Sequence, residues 1–160
     1  MYFLVGAAMV FCASVYIGVT AASVLRLRVR QLEAFCSFIG HIGTQIDVYL
    51  APLDTIYRSF DDKQLEKCGF LAAIRCNSGE KALEICRNRL YITESELTQL
   101  RDFFSGLGNG LAPHEVKHCL YYEKRLGESA RAAREELTKK SRLYRSLGML
   151  IGIMLTIIFL

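Results

Sequence analysis

Charge is confined to the middle of this chain, and this division is the feature that most restricts its fold. All 20 lysines and arginines and all 16 aspartates and glutamates lie between Arg26 and Arg145. A soluble single domain normally spreads its charges along the chain, whereas uncharged ends around a charged middle are typical of membrane segments flanking one aqueous domain. The pattern predicts membrane segments at residues 1–25 and 146–160, and one domain at residues 26–145.

The N-terminal segment, Phe3–Leu25, is long enough to cross a bilayer. As a helix it reaches about 35 Å, and the hydrocarbon core is about 30 Å thick. Three basic residues follow it: Arg26, Arg28 and Arg30. Because basic residues accumulate on the cytoplasmic side of membrane segments, the N-terminus is predicted to lie outside and the middle domain in the cytoplasm.

A cleaved signal peptide is the alternative for this first segment. Thr20-Ala21-Ala22 would then be its small-residue cleavage region. Signal peptides begin with a basic region and carry a shorter apolar run. This chain has no basic residue before the run, so a membrane helix is favoured.

The C-terminal segment, Leu147–Leu160, is apolar but short. As a helix it spans about 21 Å, so a crossing requires local bilayer thinning or long basic side chains that reach the interface. Four basic residues precede it and mark the cytoplasmic side again: Lys139, Lys140, Arg142 and Arg145. The alternative is a core helix of a soluble protein, since such helices are often apolar over this length.

The first part of the middle domain shows a long helical pattern. Apolar residues recur every three or four positions and predict one buried face: Val29, Leu32, Phe35, Ile39, Ile42, Ile46 and Leu50. Further helix starts are predicted at a proline and at three capping pairs: Pro52, Asp61 with Gln64, Asn77 with Glu80, and Thr93 with Glu96.

The last helix is predicted to begin at Pro113 and to carry a second apolar stripe. Its members are Tyr122, Leu126, Ala130, Ala133, Leu137 and Tyr144. All connections are short, which favours antiparallel neighbours. The predicted fold is therefore all-α, an antiparallel bundle of about six helices flanked by N- and C-terminal membrane helices. We expect the first and last helices to continue into the membrane without a break.

The cysteines and the net charge argue against a disulfide scaffold and a nucleic-acid surface. Six cysteines occur without any C-x-x-C pair: Cys12, Cys36, Cys68, Cys76, Cys86 and Cys119. In a cytoplasmic domain they are expected to stay reduced and to pack as small apolar side chains, so a disulfide scaffold is not indicated. The net charge of +4 is modest, and its basic excess lies at the two membrane flanks. This favours contact with anionic lipid over a nucleic-acid surface.

One short motif raises the alternative of a membrane-anchored zinc peptidase. The segment His114-Glu115-Val116-Lys117-His118 matches H-E-x-x-H, in which two histidines on one helix face hold zinc and the glutamate activates water. The mechanism also needs a third protein ligand, from His41 or from a distant carboxylate or cysteine. Pro113 moreover places His114 in a first turn. We therefore expect no catalytic residue, metal or cofactor, with His114 and His118 as the alternative metal ligands.

A small polar cluster stands outside the apolar stripes. Arg87, Asn88 and Arg89 are consecutive and follow a short predicted helix. We expect these three residues to belong to a surface that contacts a protein partner. The charged run of the last helix is interpreted as a solvated face.

Several short motifs, in order, resemble one known family, the stage III sporulation protein AB family of endospore-forming bacteria. The motifs are Arg30-Gln31-Leu32-Glu33 after the leading span, Pro52-Leu53, Leu107-Gly108, Lys117-His118, and Tyr144-Arg145-Ser146-Leu147-Gly148 before the apolar tail. The resemblance covers nearly the whole chain. The sequence departs from it at Leu111 to Glu115, where the family commonly has an acidic residue and a glutamine.

The resemblance implies a non-enzymatic role in sporulation. The family looks like the cytoplasmic helical domain of type II secretion and type IV pilus platform proteins. By that analogy the chain would lie in the mother-cell membrane around the forespore. It would link a secretion-type ATPase to the other membrane subunits of an envelope-spanning channel. A homo-oligomer is left open, and a generic membrane-tethered helical scaffold unconnected to sporulation is the remaining alternative.

Overall fold

The helical pattern of the sequence is realised in the computed structural model, which describes the backbone of residues 2–159 and the side chains of residues 23–140, 142 and 143. Over this part of the chain there are seven α-helices, one 3₁₀ turn and no strand. The helices are α1 (Tyr2–Tyr49), α2 (Leu53–Ser59), α3 (Lys63–Lys67), α4 (Phe70–Ile74), α5 (Gly79–Cys86), the 3₁₀ turn (Arg87–Arg89), α6 (Glu94–Gly106) and α7 (Ala112–Phe159). The all-α class is confirmed.

The start of α6 follows the predicted capping box. Glu96 N donates to Thr93 Oγ1 at 3.4 Å, and Thr93 N donates to Glu96 Oε2 at 2.7 Å. These two bonds satisfy backbone donors that an uncapped first turn leaves without partners. The position of α6 in the chain is thus explained by its own sequence.

Two other predicted caps are wrong. Asp62 caps α3, one residue after the predicted Asp61, and its carboxylate accepts from Gln64 N at 2.8 Å. Asn77 does not cap α5, because its side-chain amide turns back and donates to Ala73 O at 3.0 Å. Asp61 and Asn77 both lie close to the start of a helix. A shift of one residue there changes which backbone N–H groups lack a partner within the helix.

A single glycine divides the segment after Asp62 into two short helices. Gly69 takes a left-handed conformation with φ of 83° at the start of α4. This conformation is accessible to glycine at low energetic cost and ends the run of right-handed residues in α3. The division raises the number of α-helices to seven, above the predicted six or so.

The predicted apolar face of α1 is buried along its described length except at its last member. Val29, Leu32, Phe35, Ile39, Ile42 and Ile46 are all buried. Leu50 is 72% exposed, because α1 ends at Tyr49 and Leu50 adopts a left-handed φ of 49°. Apolar spacing alone does not locate the end of a helix, and here the predicted face extends one residue beyond the end of α1.

Aromatic rings fill the core between α1 and the short helices. Phe35 and Phe70 meet edge to face with centroids 5.0 Å apart, and Phe38 lies 4.9 Å from Phe60. Phe103 of α6 is fully buried. Phe38 also lies near Phe104 of α6, with centroids 6.4 Å apart, so the ring contacts pack both α4 and α6 against α1.

The two long helices pack as an antiparallel pair. Arg28 bonds to Glu136, whereas Gly43 lies beside Cys119, so position numbers rise along α1 as they fall along α7. A Cβ at Gly43 would lie 3.1 Å from Cβ of Cys119, so the missing side chain permits a close approach of the two backbones. The N-terminal direction of α1 and the C-terminal direction of α7 therefore leave the bundle at the same end.

The described residues do not test the membrane segments. Among them, no helical stretch combines the length and the hydropathy that a crossing requires. The predicted segments 1–25 and 146–160 lie outside the residues whose side chains are described, apart from residues 23–25. Both segments therefore remain predictions.

Candidate partner-contact surface

The predicted polar cluster forms a tight 3₁₀ turn between α5 and the connection to α6. Arg87 is held by two carboxylates, with Nη2 2.8 Å from Oε1 of Glu94 and Nη1 3.7 Å from Oε1 of Glu84. These bonds lie at the surface and contribute little stability. They direct the Arg87 side chain toward α5 and α6. Asn88 and Arg89 are exposed.

A buried glutamine of α1 clamps the chain that follows this turn. Gln31 is only 4% exposed. Its Nε2 donates to the carbonyl of Arg89 at 3.0 Å, and its Oε1 accepts from the amide of Tyr91 at 2.7 Å. Both polar groups of the side chain amide are thus used, as a buried amide requires. The clamp holds the exposed turn in one conformation.

Two large apolar side chains stand exposed on either side of the turn. Ile85 is 63% exposed and Tyr91 is 46% exposed. We call Ile85, Arg87, Asn88, Arg89 and Tyr91 the turn patch. A tyrosine, arginines and an exposed aliphatic residue on a rigid support are characteristic of the central residues of protein interfaces.

Sequence reasoning named the three polar members of the turn patch and missed the two apolar ones. From the sequence, Ile85 and Tyr91 are expected to be buried like other apolar residues. Only the structure shows that they are exposed. Gln31 was also missed as the clamp, although its position beside Leu32 on an apolar stripe was a signal. A polar residue among buried apolar ones must find partners, and these are on the turn.

A second polar cluster ties three helices together. Arg28 of α1 makes a two-bond contact with Glu96 of α6, Nη2 to Oε1 at 2.7 Å and Nε to Oε2 at 3.3 Å. Its Nη1 also donates to Glu136 of α7 at 3.2 Å. The Glu96 side chain is 4% exposed, and the paired guanidinium compensates its burial. The pKa of Arg28 is raised, chiefly by its hydrogen bond to Glu96.

The other predicted membrane-flanking residues differ in their contacts. Arg26, Arg30, Lys139 and Arg142 are exposed and form no ion pair with another described residue. Lys140 Nζ lies 2.7 Å from Oε1 of Glu136, and this hydrogen bond is the main reason that the pKa of Glu136 is lowered. Arg145 lies outside the residues whose side chains are described.

The glutamate of the H-E-x-x-H segment is occupied by backbone. Glu115 is 5% exposed. Its Oε1 accepts from Gly110 N at 2.7 Å and its Oε2 from Gly108 N at 3.0 Å. Both oxygens therefore brace the loop that leads into α7, and the arrangement is not that of a base aimed at a metal-bound water.

The histidines of this segment also have structural surroundings. Nε2 of His118 is 3.0 Å from the carbonyl of Phe103, so this nitrogen must carry the proton. Its ring stacks on Phe103 and touches Tyr122. His114 is exposed, and within the described part of the chain no group of three or more metal-ligating residues forms.

The thiols of Cys36 and Cys119 lie in apolar surroundings of the bundle. Burial raises the pKa of Cys36 to about 11 and that of Cys119 to about 12. Both therefore stay protonated and are weak nucleophiles at neutral pH. The five described cysteines are all free, and Cys76 among them is exposed; Cys12 lies outside the residues whose side chains are described.

Comparison with known proteins identifies the family. A family model described as stage III sporulation protein AB matches residues 3–160. No curated protein and no solved structure matches the chain. Because the match spans almost the entire sequence, the chain belongs to the stage III sporulation protein AB family.

Proposed function

We propose that the protein is a non-enzymatic platform subunit of a secretion-like channel complex in sporulation. In this role it couples a cytoplasmic secretion-type ATPase to the membrane subunits of the channel needed for forespore development. Membership of the stage III sporulation protein AB family supports the link with sporulation. The observation that carries the contact role is the rigidly clamped and exposed turn patch.

Attachment to the mother-cell membrane around the forespore is part of the proposal. It is supported by the uncharged residues 1–25 and 146–160, and by the antiparallel pairing of α1 and α7, which directs both ends to the same side. Two large apolar side chains are exposed at this end of the pair, Val24 at 47% and Leu143 at 59%. The N-terminus then lies outside and the bundle is cytoplasmic.

The turn patch suits a protein partner with both apolar and acidic groups. Asn88 and Arg89 are exposed donors, and neither side chain is used in an ion pair with a described residue. Ile85 and Tyr91, which flank the turn in the sequence, provide exposed apolar area. Because Gln31 holds the turn before binding, the partner does not bear the entropic cost of ordering it. We assign this surface to the ATPase.

Binding of the full-length chain to the ATPase tests the proposal. The chain is solubilised in detergent and titrated with the ATPase of the same sporulating cell. Replacing Ile85 with Ser and Arg89 with Glu should weaken binding by at least about tenfold, because central interface residues commonly contribute more than about 1 kcal/mol each. The helix content and the melting temperature should stay unchanged, since both side chains are exposed.

A matched variant controls for general loss of surface apolarity and charge. Leu120 and Lys124 lie exposed on α7, and Leu120→Ser with Lys124→Glu should leave the affinity as it is in the wild type. Equal affinity of both double variants would refute the turn patch as the contact surface. Absence of any ATPase binding by the wild-type chain would refute the coupling role itself.

A further inference from the structure

An open groove of about 740 Å³ lies along the outer face of α7, near the end that adjoins the uncharged tail. The groove lining includes four basic residues, one acid and one aliphatic residue: Arg131, Arg134, Glu135, Lys139, Arg142 and Leu143. We call it the α7 groove. Its walls combine cationic head groups with the apolar stems of the same long side chains.

Three of the four basic residues in the groove form no ion pair with another described residue. Arg134 forms an ion pair with Glu33 of α1. Arg131, Lys139 and Arg142 are exposed and make no ion pair with another described residue. One carboxylate, that of Glu135, lies among them. Four basic residues against the carboxylates of Glu135 and Glu33 leave the groove with two net positive charges for an anionic ligand.

Three acidic residues elsewhere at this end of the bundle are paired with arginines. Glu96 and Glu136 bind Arg28, and Glu33 binds Arg134. Glu96 is buried, and the charges of the partly exposed Glu33 and Glu136 are offset by their basic partners. An ordinary solvated helix face mixes both signs, whereas here the unpaired charge is mainly basic.

The position of the groove identifies the class of anion. Leu143 is 59% exposed at the end of the lining, and residues 146–160 beyond it carry no charge. On α1, Val24 is exposed at a comparable level of the antiparallel pair, beside the uncharged residues 1–22. A ligand here meets cations at one end and an apolar side chain at the other. These match the anionic headgroup and the apolar acyl chains of a phospholipid.

We propose that the α7 groove binds the headgroup of an anionic phospholipid, with the phosphate between Lys139 and Arg142, acyl-chain carbons against Leu143, and Arg131 adding positive charge farther along the groove. This inference rests on the proposed membrane attachment and makes it more specific. The groove holds the cytoplasmic bundle against the lipid surface in one orientation. Attachment is thereby sensitive to the lipid composition of the leaflet.

Lipid retention by the full-length chain tests the groove. The chain is inserted into nanodiscs of phosphatidylcholine mixed with phosphatidylglycerol, and retained lipids are counted by native mass spectrometry. The triple variant Arg131→Gln, Lys139→Gln and Arg142→Gln should lose at least about tenfold in phosphatidylglycerol retention, because each basic side chain at an anionic surface strengthens binding about fivefold. Higher salt should diminish the wild-type preference.

A second triple variant removes the same charge from the other end of α7. Lys117→Gln, Lys124→Gln and Arg125→Gln alter exposed residues outside the groove, and this variant should retain phosphatidylglycerol like the wild type. Both variants should keep the helix content and melting temperature of the wild type.

Two results would overturn the inference, and they can be told apart. Insertion into the nanodiscs with equal phosphatidylglycerol retention by all three proteins would show that the groove is only a solvated face, while membrane attachment stands. Failure of the wild-type chain to insert into bilayers of any composition would overturn the proposed membrane attachment and the lipid site together.

Discussion

Replacing Gln31 with methionine should loosen the turn patch without altering any exposed residue. Methionine has a similar length but can neither donate to the carbonyl of Arg89 nor accept from the amide of Tyr91. The wild-type bonds are 3.0 and 2.7 Å long, and Gln31 is 4% exposed. The substitution therefore removes two good hydrogen bonds from a site that water enters poorly.

The size of the effect follows from these two bonds. Each contributes about 1 kcal/mol, and an unpaired backbone group that stays buried costs about 1–3 kcal/mol. The additional burial of an apolar side chain offsets about 1 kcal/mol. We expect the free energy of unfolding to fall by about 1–3 kcal/mol, and the Tyr91 amide to exchange at least about tenfold faster, since about 1.4 kcal/mol corresponds to a factor of ten.

Urea unfolding of the full-length chain in detergent and amide hydrogen exchange measure the two quantities. Gln45→Met is the matched control, because Gln45 also lies on α1, is half-buried, and makes no side-chain hydrogen bond with a described residue. It should change the stability by less than about 0.5 kcal/mol. Unaltered exchange at Tyr91 in the Gln31 variant would refute the clamp, and normal ATPase binding by this variant would separate the clamp from partner contact.

Three further predictions test other parts of the structure. Leu50→Gly should stabilise the protein by about 1 kcal/mol, because Leu50 is exposed with φ of 49° and glycine adopts this conformation without strain; a lower urea midpoint would contradict it. Burial raises the pKa of Cys119 to about 12, whereas the pKa of the same thiol in the unfolded chain is about 8.5. The protonated thiol therefore contributes its full stabilisation of the fold below about pH 8.5. This contribution is lost as the pH rises toward 12, and Cys119→Ala should show a smaller fall in stability than the wild type between mildly and strongly alkaline pH. The purified chain should hold no stoichiometric zinc by elemental analysis, because Nε2 of His118 donates to Phe103; zinc that disappears in His114→Ala would revive the peptidase alternative.

Helix content and core positions were predictable because they depend on local spacing. The buried face from Val29 to Ile46 follows from apolar residues three or four positions apart, and the Thr93 capping box from residues three apart. Errors occurred at helix ends. Leu50 continued the apolar spacing but fell beyond the end of α1, and Asn77 bonded backward to Ala73 in place of capping α5.

The candidate site was predictable only in part. Arg87, Asn88 and Arg89 stand out as consecutive polar residues, and their exposure is confirmed. The hydrogen bonds of Gln31 join residues about 60 positions apart. Neither the sequence around Gln31 nor the sequence around the turn indicates this pairing. The role of Glu115 was not predictable from the sequence either. The segment from His114 to His118 fits a zinc motif as well as a structural role, and only the direction of the Glu115 carboxylate distinguishes the two.

The sequence by itself determined the all-helical class, the family and the confinement of charge to residues 26–145, because these depend on composition, on periodicity and on the order of short motifs. The tertiary structure decided which polar side chains remain available to partners. Arg28 and Arg142 are both basic residues near an uncharged end, yet Arg28 bonds to Glu96 and Glu136 while Arg142 has no ion pair with a described residue. The difference arises from the packing of α1 against α6 and α7, since an ion pair depends on distances between helices that are remote in the sequence.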